Sequence, residues 1–95
     1  MSRITNNPLE AEVFAKRFRE LVDSNKTKMT ELAKAVGTTR QGISRYYNGH
    51  FFPSVRVLIA IAKYYNVSTD YLVGLTNYKN IAEAKREWNK VVWFG

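Results

Sequence analysis

The sequence predicts an all-α domain of five helices followed by a C-terminal amphipathic helix. Three observations carry that prediction. Apolar residues recur at the three- and four-residue spacing of helices in one segment after another. Most of those segments open on a Ser, Thr or Asn suited to capping, and several close on Gly. No run alternates apolar and polar residues as a half-buried strand would, and no internal repeat is present. With 45% hydrophobic residues and 14% aromatics in 95 positions, the chain suits one packed domain rather than a disordered polymer.

Residues 1–7 lack periodicity and read as an arm carrying Arg3. Asn7-Pro8-Leu9-Glu10 opens the first helix, with Asn7 as cap, Pro8 at the first helical position and Glu10 able to reach back to the cap. Val13, Phe14, Phe18, Leu21 and Val22 follow on one face, with Lys16, Arg17, Arg19 and Glu20 outside, and the helix ends near Ser24-Asn25. A short second helix over 29–36 buries Leu32, Ala33 and Val36 and is stopped by Gly37.

Only Gly37-Thr38 separates it from a third helix, capped by Thr39 and closed by Asn48-Gly49. So tight a joint makes the two helices cross steeply and calls for a small residue at the crossing, which Ala33 supplies. That is a helix-turn-helix unit. In the third helix Ile43 and Tyr46 face inward, while Arg40, Gln41, Ser44 and Arg45 face out with no carboxylate among them. Those donors match the geometry of base edges in a DNA major groove; the plainer reading of so short a helix is a solvated surface. After His50-Phe51-Phe52-Pro53, Ser54 caps a fourth helix of mostly apolar residues, Val55, Val57, Leu58, Ile61, Ala62 and Tyr65, suited to the centre of the bundle. Ser68-Thr69-Asp70 opens a fifth through Leu72-Val73, ended by Gly74. The helix-turn-helix domain thus occupies 1–76. In the tail, 77–95, Asn80 and Glu83 mark another helix start, and Ile81, Ala84, Trp88, Val91 and Val92 form a stripe ahead of Trp93-Phe94.

Charge narrows the partner. The net charge is +7, and no acidic residue lies between Glu31 and Asp70, where Lys34, Arg40, Arg45, Arg56 and Lys63 stand. Surfaces usually mix both signs, so a polyanion is expected. These cations do not gather on one amphipathic helix as a membrane-surface binder requires. The longest apolar run, 57–62, is too short to span a bilayer, and no hydrophobic signal segment opens the chain, so a cytoplasmic protein is expected. Without cysteine there is no disulfide or thiolate metal site, and the lone His50 has no ligand partner, so no metal or cofactor is expected. An enzyme is not expected either: there is no Ser/His/Asp set, no paired carboxylates, no glycine-rich phosphate loop, and no small-molecule substrate is indicated.

The order of residues 31–46, with Asn48-Gly49, Pro53-Ser54 and residues 66–74, resembles the Cro and phage-repressor (Xre-type) helix-turn-helix family. The resemblance implies a five-helix, repressor-like DNA-binding domain with residues 39–48 as recognition helix. It makes Arg40, Gln41, Ser44 and Arg45 the base-reading set, and Thr39, Asn48 and the start of the second helix phosphate contacts. Three features depart from the family pattern. Lys28-Met29 replace the usual Ser-Gln, leaving Lys28 or Thr30 to hold the DNA backbone. Val22 and Tyr47 stand where relatives pair Arg with Glu, as in an exchange of an ion pair for an apolar contact. The loop that is commonly basic is His50-Phe51-Phe52.

Arg56 lies in the first turn of the fourth helix, where the helix dipole disfavours a cation; a phosphate contact would offset that, the alternative being a solvated arginine. Phe51 and Phe52 are core caps or part of a dimer contact. The tail stripe folds back, forms a dimer interface or is disordered. The expected function is a sequence-specific, double-stranded-DNA-binding transcriptional repressor, working as a homodimer on a palindromic operator. The alternative is a protein-interaction module on the same fold, such as a toxin-binding antitoxin or coactivator bridge.

Overall fold

The computed structural model describes residues 8–80 together with 82 and 83. Five helices follow one another, α1 (Pro8–Ser24), α2 (Met29–Val36), α3 (Arg40–Tyr47), α4 (Val55–Tyr65) and α5 (Thr69–Leu72), and no strand occurs among the described residues. The five-helix, all-α expectation is met. The arm, the Asn7 cap and the tail stripe beyond Glu83 lie outside the described residues. No described helix is long and apolar enough to cross a membrane.

The capping chemistry holds position by position. Thr39 Oγ1 accepts from the Gly42 amide at 3.0 Å, Ser54 Oγ from Val57 at 3.3 Å, and Ser68 Oγ from Tyr71 at 3.0 Å. Each satisfies one first-turn donor that would otherwise have no intrahelical partner.

One core joins all five helices. Phe14 and Phe18 of α1, Leu32 of α2, Ile43 of α3, Ile61 of α4 and Leu72 of α5 are fully buried. Phe14 is the hub: it stacks on Phe18 at 5.4 Å between centroids and meets Tyr46 edge-on at 6.5 Å and Phe52 at 5.6 Å. Such aromatic pairs add about 0.5–1.5 kcal/mol beyond burial. Apolar residues of α4 do not all face inward. Val57, Leu58, Ile61 and Ala62 are buried, but Val55, Ile59 and Tyr64 are exposed. Val55 and Ile59 are four positions apart and share a face turned from the core, so Val55 is not the core residue its place in an apolar run suggested.

Two arginines of α1, placed on its outer face by periodicity, are structural ties instead. The Arg17 guanidinium donates to the carbonyls of Tyr71 (2.7 Å) and Thr76 and to Asn77 Oδ1 (2.9 Å), and lies 4.3 Å from the Tyr71 ring centroid. Arg19 Nη1 donates to the Tyr47 carbonyl at 2.8 Å, a cation on the last turn of α3 where the helix dipole favours one. Beyond α5, the Ser68 amide donates to the Lys79 carbonyl at 2.7 Å and Asn80 Nδ2 to the Asn66 carbonyl at 3.3 Å, holding residues 79–80 beside the end of α4. Asn80 Oδ1 then accepts from the Glu83 amide and Glu83 Oε1 from the Lys79 amide, each at 3.0 Å, the exchange that opens a helix.

Candidate nucleic-acid interface

The joint between α2 and α3 is fixed first. Gly37 adopts φ 77°, a left-handed conformation that any side chain would strain. The Gly37 and Thr38 amides both donate to the Ala33 carbonyl, at 3.0 and 2.9 Å. Ala33 is itself buried, a small residue at the crossing of the two helices. α3 is then held by Ile43 from beneath, with Tyr46 and Tyr47 packed against the core beside it.

With that face committed inward, the opposite one is open. Arg40, Gln41 and Arg45 are exposed and Ser44 is half-buried. No carboxylate stands in α3 or its caps. Gly42 on the same helix is crowded by the turn before it, since a Cβ there would lie 2.9 Å from Thr38 Oγ1 and 3.3 Å from Thr39 Oγ1.

The flanking candidates occupy four places. Thr39 caps α3 through its hydroxyl, which still has donor capacity. At the other end exposed Asn48 turns its amide nitrogen toward Ser44 Oγ at 3.4 Å. Arg56 reaches back from α4 to the α2–α3 turn, its Nη2 3.4 Å from the Gly37 carbonyl. The cation therefore stands beside the joint of the two helices rather than free in solvent. Lys28 and Thr30 are exposed at the start of α2, where no side chain caps the first-turn amides. Open amides at a helix N-terminus suit an anion.

Position 47 adds a polar contact to the expected apolar one. Tyr47 packs on the core, but its hydroxyl donates to Asp23, 2.9 and 3.1 Å from the two carboxylate oxygens. That hydrogen bond, with burial and the Asp23 charge behind it, holds the phenol above its ordinary value. The Arg19 guanidinium lies 6.0 Å from the Tyr47 ring centroid. A polar tie between α1 and the end of α3 is thus kept by other residues.

Of the two loop phenylalanines, Phe51 is not a core cap. Its ring lies 5.2 Å from the Arg45 guanidinium carbon and remains exposed. Phe52 is the one that reaches the core, through Phe14. Residue spacing could not give this: Arg45 and Phe51 are brought together by the turn that ends α3. Among the described residues no group of His, Cys, Asp and Glu could hold a metal ion.

Comparison with known proteins agrees with this geometry. The sequence model of the helix-turn-helix family matches residues 16–72. Over 65 residues the chain is 31% identical to the uncharacterized HTH-type transcriptional regulator YobD of Bacillus subtilis (strain 168), an alignment covering 68% of this chain and 58% of that protein. The chain therefore spans little more than half the length of that relative. In three dimensions it is similar to the solution structure of the SOS-response transcriptional repressor LexA from Eubacterium rectale. The TM-score is 0.66 at 20% sequence identity, over 68% of this chain and 69% of that one.

Proposed function

Because the chain belongs to the helix-turn-helix family, we propose that it is a sequence-specific, double-stranded-DNA-binding transcriptional repressor that reads the major groove with residues 39–48. One observation carries the reading. The exposed face of α3 presents Arg40, Gln41 and Arg45, with Ser44 beside them, and no carboxylate that would repel phosphate. Arg pairs bidentately with guanine O6 and N7, and Gln with adenine N6 and N7. Ser44 reaches a base edge as donor or acceptor. Thr39, Asn48 and Arg56, together with Lys28 and Thr30, hold the backbone and set the register in which α3 lies, a role that carries no sequence information of its own. The regulator acts in the cytoplasm, needs no metal or cofactor and catalyses no reaction.

One recognition helix spans too few base pairs for useful specificity. The working form is a homodimer that binds two half-sites about one helical turn, roughly 34 Å, apart. Selection of bound fragments from random duplex DNA tests all of this at once. A palindromic consensus is expected. A recovered pool no different from the starting one would overturn the assignment, and a consensus without symmetry would overturn the dimer.

A further inference from the structure

We infer that Phe51 is a specificity-determining positioning residue, its ring holding the Arg45 guanidinium in the pose from which Arg45 reads a base. This rests on the reading of Arg45 as a base contact, and it assigns to the loop after α3 a part in recognition. The Arg45 guanidinium carbon lies 5.2 Å from the Phe51 ring centroid, within the distance of about 6 Å over which a ring quadrupole attracts a cation.

Two anchors fix the ring there. The first is the end of α3, where Gly49 adopts φ 80°. The Gly49 amide donates to the Tyr46 carbonyl at 3.2 Å and the His50 amide to the carbonyl of Arg45 itself at 3.1 Å. This is the paired bonding of a Schellman turn, and it reverses the chain against the turn that carries Arg45. The second anchor follows at once: Phe52 meets Phe14 at 5.6 Å and Pro53 is buried. Phe51 stands between the two, 47% exposed. It is not spent on the core.

The chemistry explains why a ring suits this place. A bidentate guanine contact needs the planar guanidinium fork in one orientation, whereas a free arginine samples many rotamers. A contact through the face of an aromatic ring restricts that sampling and consumes none of the five N–H donors. Arg17 also lies over a ring, that of Tyr71, but its donors are taken by the carbonyls of Tyr71 and Thr76 and by Asn77.

Selection from random duplex DNA is run on the full chain and on Arg45→Ala, Phe51→Ala, Phe51→Leu and Phe51→Trp, with affinity for a scrambled duplex measured beside it. Arg45→Ala should flatten preference at one position of the site. Phe51→Ala and Phe51→Leu should lower preference at that same position about two- to fivefold, the share a surface cation–π contact supplies. Other positions and the scrambled duplex should be unaffected, and Phe51→Trp should keep the preference. Phe51→Leu retains apolar bulk, so it decides the matter even where Phe51→Ala does not fold. Should Phe51→Leu match the wild type, or should all positions and the scrambled duplex weaken together, the positioning role is overturned while Arg45 keeps its base. Should Arg45→Ala flatten no position, the base-reading role falls and this inference falls with it.

Discussion

Replacing Arg17 with glutamine removes the tie between α1 and the segment that follows α5. The guanidinium serves two carbonyls, those of Tyr71 and Thr76, and one side-chain oxygen on Asn77, and it lies 4.3 Å from the Tyr71 ring centroid. A hydrogen bond from a charged donor contributes about 1.5–3 kcal/mol net; because Arg17 is only half-buried, the lower end applies to each. The cation–π contact adds about 0.5–1 kcal/mol. Against these stand the one bond glutamine can retain and about 1–2 kcal/mol of rotamer freedom that an ordered arginine gives up. The net loss is about 2 kcal/mol, equivalent to a fall in Tm of about 8–16 °C for a domain of this size. Thermal melts followed by circular dichroism measure it, with Lys16→Gln as the neighbouring exposed control, expected within about 0.5 kcal/mol of wild type. DNA affinity at a temperature where both variants are folded should not change, because Arg17 is not among the residues assigned to the DNA and its guanidinium is spent on residues 71–77. If Arg17→Gln melts with Lys16→Gln, the tie contributes nothing and the reasoning fails.

Other perturbations probe other elements. Thr39→Ala deletes the acceptor of the Gly42 amide, so stability should fall by about 1 kcal/mol in urea titrations; affinity for operator and scrambled duplex should fall together, and a Thr39→Ser variant that behaves like Thr39→Ala would refute the cap. Affinity should drop steeply with salt, log K against log[salt] having a slope of about −0.9 per phosphate neutralised; an affinity equal in low and high salt would favour the protein-interaction alternative. Tyr65 donates to Thr27 Oγ1 at 2.8 Å, and burial, outweighing that hydrogen bond, raises its phenol above the ordinary value of 10.0. A group whose folded pKa is raised stabilises fully below its unfolded pKa and loses that contribution as pH rises through the folded one. The stability margin of wild type over Tyr65→Phe should therefore be full near pH 8 and shrink above about pH 10; a margin constant across that range in urea midpoints would contradict the shift.

How much could be read in advance divides by the range of the interaction. Helix starts at Thr39, Ser54 and Ser68 and the stop at Gly37 were legible because a cap satisfies an amide three positions away, inside the window that sequence presents. The face of α3 was legible because Ile43, with Tyr46 three positions on, fixes which way it turns. The arginines of α1 were not. Arg17 and Arg19 look alike by periodicity, and only the approach of residues 71–77 and 47 decides which carbonyls they reach. Tyr47 was legible in part: a long side chain packs with its ring and bonds with its tip, so packing on the core and a hydrogen bond to Asp23 occur together, and only the first shows in an apolar pattern. Phe51 required the turn itself, since an aromatic six positions past an arginine carries no signal until Gly49 reverses the chain.

The contrast between the two sides of α3 has a physical reason in the proposed role. On the side facing α1, a carboxylate and a guanidinium are used freely: Asp23 takes the Tyr47 hydroxyl and Arg19 the Tyr47 carbonyl. A carboxylate placed beside Arg45 would also order that side chain, but it would satisfy the donors meant for a base and add a negative charge facing phosphates. With a Debye length of about 10 Å at 0.1 M salt, such a charge would be felt by the phosphates nearest Arg45. The face of Phe51 orders the cation without neutralising it. An acid-free stretch from Glu31 to Asp70 then follows from the same requirement: an element that must be rigid and remain positive has to be braced by aromatic rings and by backbone carbonyls. Arg56, whose Nη2 lies 3.4 Å from the Gly37 carbonyl, is braced in that second way.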